Sequence, residues 1–448
     1  MRITVIGAGP AGLTLGAALA RRGHQVTAVD RDPGPPFGVT WQRKGVMQFH
    51  HAHAFRATVA QSLERILPEA VPVWLATGAE PITVDQPGGP LLIGYRSRRE
   101  PFERAVREVA SSVPGFTIRQ GHVERVLHEH GRATGVVVDG SCVEADLVVD
   151  ASGRSGRVSR EFSSRVSVGG PCGQAYVDRV YRLRPGAEPG PMSNPVIWQS
   201  EHDGYLSLVF PHDQGYFSAL IVRRADDRAL LGLRDNDTFE SATAAIPGLS
   251  QWTDPERSVP VTDVLAGGAL LNVYAGQRRR EGGLVLPGLF FVGDSVATTT
   301  PVFGRGITTT LWQVEALLHL VDHDATDPEG VGLALDDFGE SEIRPWVEDH
   351  IAMDAAHVAR WAGADVDLDG PLPSDVILAA AEVDPAIMQS AQGYLSMHAA
   401  PSTLRAAEPL ARAVYASGWR PSYAPGPTRD QLVEIVRKAE AEVEPLPA

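Results

Sequence analysis

The chain begins with the stretch that decides its fold, Arg2-Ile-Thr-Val-Ile-Gly7-Ala-Gly9-Pro-Ala-Gly12. The β-branched residues before Gly7 predict a buried parallel strand. The glycines that follow have the spacing of a dinucleotide-binding loop, in which the backbone approaches a pyrophosphate at the N-terminus of a helix. Small apolar residues from Leu13 to Ala20 predict that helix, and Gly23 is its expected end.

A second strand is predicted over Gln25 to Asp30, and it ends on a carboxylate. Asp30 is therefore placed to accept hydrogen bonds from an adenosine ribose. Strand, glycine loop, helix, strand and carboxylate follow one another in the order of a dinucleotide-binding unit. The contacts expected from this unit come from Gly7, Gly9, Ala11, Gly12, Asp30 and Arg31.

Another glycine motif lies almost three hundred residues further on and indicates which dinucleotide is bound. The apolar run before Gly293 predicts a buried strand, and Asp294 follows it. A carboxylate at this place suits a ribityl hydroxyl, and the helix entry that follows would face negative charge on an isoalloxazine ring. Because NAD has no ribityl chain, the pair of motifs predicts FAD. The second motif contributes Asp294, Pro301, Gly304, Gly306 and Ile307.

The order of predicted elements indicates an α/β protein with a Rossmann-like FAD-binding domain, an inserted antiparallel β-sheet and a C-terminal helical region. The FAD-binding domain is predicted to be discontinuous, over residues 1–75, 98–165 and 285–340. Residues 76–97 and 166–284 are assigned to the substrate-binding sheet. Residues 341–448 are alanine-rich, with a helical pattern broken by prolines.

Composition excludes several classes of protein. The formal net charge of −15 argues against a surface for nucleic acid or an anionic membrane. Cys142 and Cys172 are too few for a disulfide framework or a cysteine metal cluster. The histidines at 50, 51 and 53 lack the spacing of metal ligands, so no metal is predicted. No long apolar stretch predicts a membrane span, and we expect a cytoplasmic protein.

The motifs together resemble the flavoprotein monooxygenases of the para-hydroxybenzoate hydroxylase fold. The stretch Arg43-Lys44-Gly45-Val46-x-Gln48, followed by His51-Ala52-His53, is similar to the polyether epoxidases, and the branch of styrene and indole monooxygenases is also close. The resemblance implies that Arg43 and Arg99 lie near the FAD phosphates, ribose or flavin, and that Val123 contacts adenine through its backbone. It covers about residues 1–330.

One departure from that family bears on the source of electrons. The family's middle Asp-Gly motif, which is tied to use of a pyridine nucleotide, reads Ala151-Ser152-Gly153-Arg154 here. Ser152 replaces the expected aspartate, which weakens the case for direct reduction by NAD(P)H. The departure favours a two-component system in which a separate flavin reductase delivers reduced flavin.

Aromatic and apolar residues on the predicted strands are candidates for a substrate pocket, although packing of a core explains most of them as well. They are Trp198, Tyr205, Leu208, Phe210 and Phe217. Phe303 is a separate candidate because it lies inside the flavin motif. His51 is a candidate proton carrier because the ordinary pKa of histidine is near neutrality.

The resemblance implies a monooxygenase that transfers one oxygen atom from O2 through a flavin C4a-hydroperoxide to a small apolar or aromatic substrate, in secondary metabolism. No basic residue stands out for phenol hydroxylation, which favours epoxidation. A reductase, cyclase or halogenase of the same fold is the alternative, but the halogenase motif Trp-x-Trp-x-Ile-Pro is absent. A non-enzymatic flavin-binding role is a further alternative. Substrate identity, regiochemistry and oligomeric state stay open.

Overall fold

The computed structural model describes residues 1–43, 45–154 and 156–443. Lys44 of the epoxidase-like stretch and the last five residues of the predicted C-terminal region lie outside this part of the chain. The strands, in chain order, are β1 (Arg2–Ile6), β2 (Gln25–Asp30), β3 (Phe55–Arg56), β4 (Glu80–Gln86), β5 (Gly89–Arg96), β6 (Phe116–Gln120), β7 (Val123–Glu129), β8 (Arg132–Val138), β9 (Ser141–Glu144), β10 (Leu147–Asp150), β11 (Arg165–Pro171), β12 (Gln174–Leu183), β13 (Trp198–His202), β14 (Tyr205–Pro211), β15 (Tyr216–Arg224), β16 (Ser258–Pro260), β17 (Leu265–Gly267), β18 (Leu271–Arg279), β19 (Leu289–Phe291) and β20 (Ala297–Thr298).

The α-helices alternate with the strands in the first half of the chain and dominate its last third. In chain order they are α1 (Pro10–Arg21), α2 (Ala57–Ile66), α3 (Ala70–Ala76), α4 (Arg99–Ser111), α5 (Arg157–Glu161), α6 (Asn236–Ala245), α7 (Pro247–Thr253), α8 (Gly306–Asp324), α9 (Pro328–Phe338), α10 (Arg344–Trp361), α11 (Ser374–Ala379), α12 (Ala386–Leu395), α13 (Glu408–Ala416) and α14 (Arg429–Val443).

A five-stranded parallel sheet in the order β19-β10-β1-β2-β6 lies at the centre of the part of the chain that contains the glycine loop. Val5 of β1 pairs with Val149 on one side and with Ala28 on the other, and all three residues are fully buried. Because the strands are parallel, the segments that follow them meet at one edge of the sheet. That edge brings together the loop at Gly7, Asp30 and the Gly293-Asp294 turn.

The second sheet is antiparallel, in the order β13-β14-β15-β12-β16, with β17 also pairing with β12. Alternate residues of its strands point to opposite faces. One face packs against α6, α7 and α14 in a core that contains Phe239, Trp252 and Val436. The other face carries a separate apolar cluster that contains Tyr176, Leu208 and Phe210.

Three smaller sheets complete the architecture: β3-β5-β4, β7-β8-β9 and β11-β18-β20. The hairpin β4–β5 pairs with β3, a strand of only Phe55 and Arg56, through Phe55 opposite Tyr95. The hairpin thus shares an apolar core with the parallel sheet, although residues 76–97 are assigned from sequence to the substrate-binding sheet. The division into domains by residue number stays a prediction.

Helices α10 to α13 form a further layer around a core of their own, which includes Trp346, Ile377 and Tyr394. The last helix, α14, leaves this layer and packs on α6 beside the antiparallel sheet. The predicted fold class is confirmed: a Rossmann-like parallel sheet, an antiparallel sheet and a helical C-terminal region are all present. Within the described residues, no helix is both long and apolar enough to cross a membrane.

Candidate dinucleotide site

Two adjoining cavities lie at the edge where the parallel strands end. The first encloses about 980 Å³ of empty space, part of it open to solvent, and the second encloses about 820 Å³ measured in the same way. Both are lined by Gly7, Asp30, Arg31 and Ser152, so they join at these residues. We call the joined cavities the dinucleotide channel; it extends from Val123 at one end to Ile307 at the other.

The glycine loop is closely packed where it turns. A Cβ atom on Gly12 would lie 2.0 Å from the carbonyl oxygen of Gly7, so no side chain fits there. Gly7 itself has a φ of +103°, and a Cβ on it would lie 2.5 Å from the carbonyl oxygen of Ala151. Helix α1 starts directly after Gly9, which provides no side-chain cap. The first amides of the helix are therefore left for a ligand in the channel.

Asp30 connects the glycine loop to an arginine. The backbone amide of Ala8 donates to Oδ2 of Asp30 at 2.7 Å, and Arg43 Nη2 donates to the same oxygen at 2.9 Å. Oδ1 accepts from the amide of Asp32 at 2.9 Å. The carboxylate is thereby held at the channel wall, with lone pairs left for ribose hydroxyls.

Arg43 and Arg99 share a carboxylate that was not predicted from sequence. Glu103 of α4 is fully buried, accepts a hydrogen bond from Arg43 and forms an ion pair with Arg99 Nε at 2.5 Å. The charges of Glu103 and Asp30 raise the pKa of Arg43 although burial opposes this. Both arginines line the first cavity, as do Arg31 and Arg154. A first cavity lined by four guanidinium groups, in a chain of net charge −15, suits a diphosphate.

Asp294 lines the other part of the first cavity, after the φ of +71° at Gly293. Burial raises the pKa of Asp294, and the positive charges of Arg99 and Arg154 oppose that shift. Among the residues that the structure describes, its carboxyl group has no hydrogen-bond or ion-pair partner. The residue is half-buried in the wall of the cavity, and an acceptor there without a protein partner suits a hydroxyl-bearing ligand.

The turn from Pro301 to Gly306 leads into Ile307, which lines the end of the channel. Gly304 has a φ of +59°, and a Cβ on it would lie 3.2 Å from the carbonyl oxygen of Ala54. A Cβ on Gly306, the first residue of α8, would meet nothing within 4 Å. Protein packing explains the glycine at 304 but leaves the one at 306 unexplained. The open space at Gly306 suits a flat ring placed against the start of α8.

The structure brings most of the predicted cofactor residues to this channel. The first cavity is lined by Gly7, Gly9, Ala11, Asp30, Arg31, Arg43, Arg99, Asp294 and Ile307, and the second by Val123. Gly12 lies under the loop, and Pro301, Gly304 and Gly306 form the turn beside Ile307. In geometry and chemical character, the residues present fit FAD.

His51 pairs with a carboxylate from the antiparallel sheet. Its Nδ1 lies 2.5 Å from Oδ1 of Asp178 on β12, and the amide of Ala52 donates to Oδ2 of the same residue at 3.1 Å. Both side chains are buried. The His51 ring also contacts Tyr176 edge-on, with 5.2 Å between ring centroids. Within the described residues, no cluster of histidine, cysteine and carboxylate side chains could hold a metal ion.

The predicted substrate residues divide between the two faces of the antiparallel sheet. Leu208 and Phe210 lie in the apolar cluster that also contacts Met47 and Ala52 of the His51 loop. Trp198, Tyr205 and Phe217 lie in the opposite core, against α6, α7 and α14, and this corrects the prediction for those three. The reason is strand alternation, because the direction of a side chain depends on register.

Phe303 does not line the channel; its ring packs edge-on against His350, with 5.3 Å between centroids. Its neighbour Arg305 is buried and donates to Asp349 at 2.7 Å and to the Tyr394 hydroxyl at 2.5 Å. Asp349 and Tyr394 belong to the C-terminal helices, so hydrogen bonds to this layer stabilise the turn. These contacts have no local signal in the sequence, whereas Glu103 follows Arg99 by four residues, the spacing at which side chains meet on a helix.

Comparison with known proteins agrees with this geometry. A profile of the family described as FAD dependent oxidoreductase matches residues 2–114. A D-amino acid dehydrogenase 2 of Ralstonia nicotianae is 32% identical over 115 residues, which are 24% of this chain and 25% of that protein. The matched residues span about a quarter of the length of this curated relative. They span a smaller share of two further curated D-amino acid dehydrogenases.

Solved structures match over more of the chain. The flavin-dependent brominase Bmp2 superposes with a TM-score of 0.62 at 15% identity, covering 99% of both chains. The probable FAD-dependent monooxygenase pqsL from Pseudomonas aeruginosa superposes with a TM-score of 0.57 at 15% identity, covering 81% of this chain and 98% of its own. Residues 2–114 therefore match an FAD-dependent oxidoreductase domain, and the chain shares its fold with monooxygenase- and halogenase-type flavoproteins.

Proposed function

We propose that the chain binds FAD along the dinucleotide channel and acts as a flavin-dependent monooxygenase on an electron-rich small molecule. The observation that carries the proposal is the continuity of the channel from Val123, past the glycine loop, to Asp294 and Ile307. That run presents an end with Val123 and Val158 beside arginines, then a carboxylate, helix amides with arginines, and a second carboxylate. The same order of chemistry occurs along FAD from adenine to flavin.

Each part of the channel has a distinct role in this proposal. Val123 borders the adenine, and Asp30 accepts from the ribose. The amides at the start of α1 bind the diphosphate together with Arg43 and Arg99. Asp294 accepts from a ribityl hydroxyl, which supplies the partner that its half-buried carboxyl group lacks.

Reduced FAD bound here would supply two electrons that, with O2 and two protons, place one oxygen atom in the substrate and release the other as water. The chain's own contribution is binding and the exclusion of water. The face of the antiparallel sheet with Leu208 and Phe210 is apolar and turned toward the His51 loop. We propose that an apolar or aromatic substrate lies against it, as expected for secondary metabolism. The proposed reaction class covers both epoxidation and aromatic oxygenation.

Replacement of Gly306 tests where the cofactor lies. Gly306→Ala places a methyl group in open space, so the ligand-free protein should keep its melting temperature while FAD affinity falls about tenfold or more. Gly170→Ala is the matched control, because a Cβ there also meets nothing within 4 Å and the residue lies on β11, outside the turn that leads into Ile307. Equal FAD affinity in both variants, measured by calorimetric titration, would contradict the proposed position.

The reaction itself is tested with ¹⁸O2 and the reduced holoenzyme, offered a panel of phenols, indoles and alkenes. A product with one labelled oxygen atom supports a monooxygenase. A brominated or chlorinated product in the presence of halide supports the halogenase alternative, and a reduced or cyclised product without label supports the reductase or cyclase. Failure to consume O2 with any substrate supports a non-enzymatic role.

We further propose that a partner reductase supplies the reduced flavin. Ser152 stands in the channel wall where the family has an aspartate, and its Oγ donates to Asp150 at 2.5 Å. Anaerobic stopped-flow of the holoenzyme with NADPH or NADH should therefore show slow flavin bleaching, which a flavin reductase accelerates. Fast bleaching by this chain alone would overturn the two-component proposal.

A further inference from the structure

His51 lies between the turn at the end of the dinucleotide channel and the apolar face of the antiparallel sheet. Three residues after it, the carbonyl oxygen of Ala54 would lie 3.2 Å from a Cβ on Gly304 in that turn. On the other side, Ala52 and Ala54 pack against the cluster that contains Tyr176 and Leu208. The loop thus occupies the layer in which a substrate would meet the flavin end of the channel.

The hydrogen bond to Asp178 determines which nitrogen of His51 is available. A carboxylate accepts but does not donate, so it binds the protonated Nδ1 and leaves a lone pair on Nε2. This tautomer is assigned from the hydrogen-bond partner. Nε2 has no hydrogen-bond partner among the described residues, and it is not one of the polar atoms sealed from solvent. The imidazole therefore has one nitrogen held and the other free to accept a proton.

The surroundings of the His51–Asp178 pair are largely apolar, so burying the pair there costs folding free energy. Asp178 is fully buried on β12, on the same face as Tyr176. A buried carboxylate and histidine on a face that is otherwise largely apolar lose hydration that their mutual contact only partly restores.

We propose, on the basis of the monooxygenase function above, that the His51–Asp178 pair binds and deprotonates the hydroxyl group of a phenolic substrate. The O–H bond breaks, its electron pair stays on the phenolate oxygen, and the proton goes to Nε2 of His51. Asp178 stabilises the imidazolium that forms. The phenolate ring is richer in electrons than the phenol, which favours attack on electrophilic oxygen. A base at this position favours aromatic hydroxylation, whereas the expectation of epoxidation rested on the lack of a visible base.

Several other titratable groups surround His51 and belong to the same electrostatic environment. His50 and His53 lie on its own loop, and the pKa of each is lowered by burial, that of His53 to about 3. Asp178 and Tyr176 face it from β12. The charge of Arg154 reaches Tyr176, and the charge of Arg99 reaches His53. The proton accepted from a phenol is assigned to His51 because its Nδ1 is hydrogen-bonded to the Asp178 carboxylate and its Nε2 has no partner among the described residues.

The test uses 4-nitrophenol, whose phenolate has a distinct absorption band, and the oxidised FAD holoenzyme. The fraction of bound 4-nitrophenol in the phenolate form is measured by difference spectroscopy against pH. We expect the bound phenol to ionise about one pH unit or more below its ionisation in buffer. We also expect it to bind more tightly than its methyl ether, 4-nitroanisole. Ionisation as in buffer, no binding of 4-nitrophenol, or tighter binding of the ether would overturn the proposal.

Variants separate proton acceptance from folding. His51→Gln should return the ionisation of bound 4-nitrophenol to its value in buffer, and Asp178→Asn should move it in the same direction by removing the charge that stabilises the imidazolium. His202→Asn is the matched control, because His202 is another buried histidine of this sheet but contacts Ser207 and stacks on Tyr205 of the opposite core. The proposal is wrong if this control shifts the ionisation as much as His51→Gln.

Failure of this inference is distinguishable from failure of the proposed function. FAD content is measured on the same samples, so a chain that does not bind FAD fails the proposed function. A holoenzyme that binds FAD and incorporates ¹⁸O into an alkene, but does not ionise 4-nitrophenol, fails only the assignment of the His51–Asp178 pair.

Discussion

Glu103 is the single residue on which the charge arrangement of the channel most depends. It is fully buried, and it contacts both Arg43 and Arg99. Without Glu103, Arg43 would keep its ion pair with Asp30, but Arg99 would lose its ion pair with Glu103. A carboxylate that cannot bind the ligand therefore positions two groups that can.

Substitution of Glu103 tests this role. Glu103→Gln keeps the shape but removes the charge, which leaves a buried guanidinium poorly compensated. We expect the free energy of unfolding of the ligand-free protein to fall by about 3 kcal/mol in urea denaturation. Glu108→Gln, on the exposed side of the same helix, should change it by less than about 0.5 kcal/mol. Equal effects of the two substitutions would contradict the role given to Glu103.

At the scale of elements, helix α10 forms hydrogen bonds with the segment from Asp294 to Gly306. Its Asp349 accepts from Arg305 at 2.7 Å, and its Asp354 accepts from Thr300 at 2.9 Å and from Asn272 at 2.7 Å. All of these side chains are buried. The C-terminal helices thus determine the position of a motif that comes before them in the sequence.

Tyr394 of α12 provides a test of this attachment. Its hydroxyl accepts from Arg305 at 2.5 Å and donates to Asp349 at 2.7 Å, so Tyr394→Phe leaves both groups short of a partner. We expect a loss of about 1 to 3 kcal/mol in unfolding free energy and faster hydrogen exchange of amides 302–307. Tyr423→Phe, at a tyrosine that is 53% exposed, is the control. Unchanged exchange in Tyr394→Phe would argue against the attachment.

At the scale of the whole molecule, buried histidines predict how stability depends on pH. Burial lowers the pKa of His53 to about 3 and those of His202 and His212 to about 4. Between those values and the ordinary value of about 6.5, the unfolded chain binds protons that the folded chain does not. Their contribution to stability is therefore complete above pH 6.5 and is lost as the pH falls toward 4.

The double variant His202→Asn/His212→Asn isolates this effect, because every other titratable group is common to both proteins. We expect the unfolding free energy of the parent to fall more steeply than that of the variant between pH 6 and 4.5. The difference should be about 1.4 kcal/mol per pH unit for each histidine removed. Parallel curves from urea denaturation at each pH would refute the assignment.

Local sequence determined the parts of this protein whose signals lie within a few residues. The strand before Gly7, the helix after it and the carboxylate at Asp30 follow one another along the chain, and their spacing carries the geometry. The motif from Asp294 to Gly306 is local in the same way. The fold class and the residues of the channel could be predicted for this reason.

Tertiary structure alone decided what depends on pairing between distant segments. His51 meets Asp178 across 127 positions, and neither residue has a local pattern that predicts the other. Trp198, Tyr205 and Phe217 face away from the channel because a shift of one residue in a strand reverses its faces, and only the assembled sheet sets that register. The residues of the channel could therefore be predicted from sequence, whereas the pairing of His51 with Asp178 could be recognised only in the folded chain.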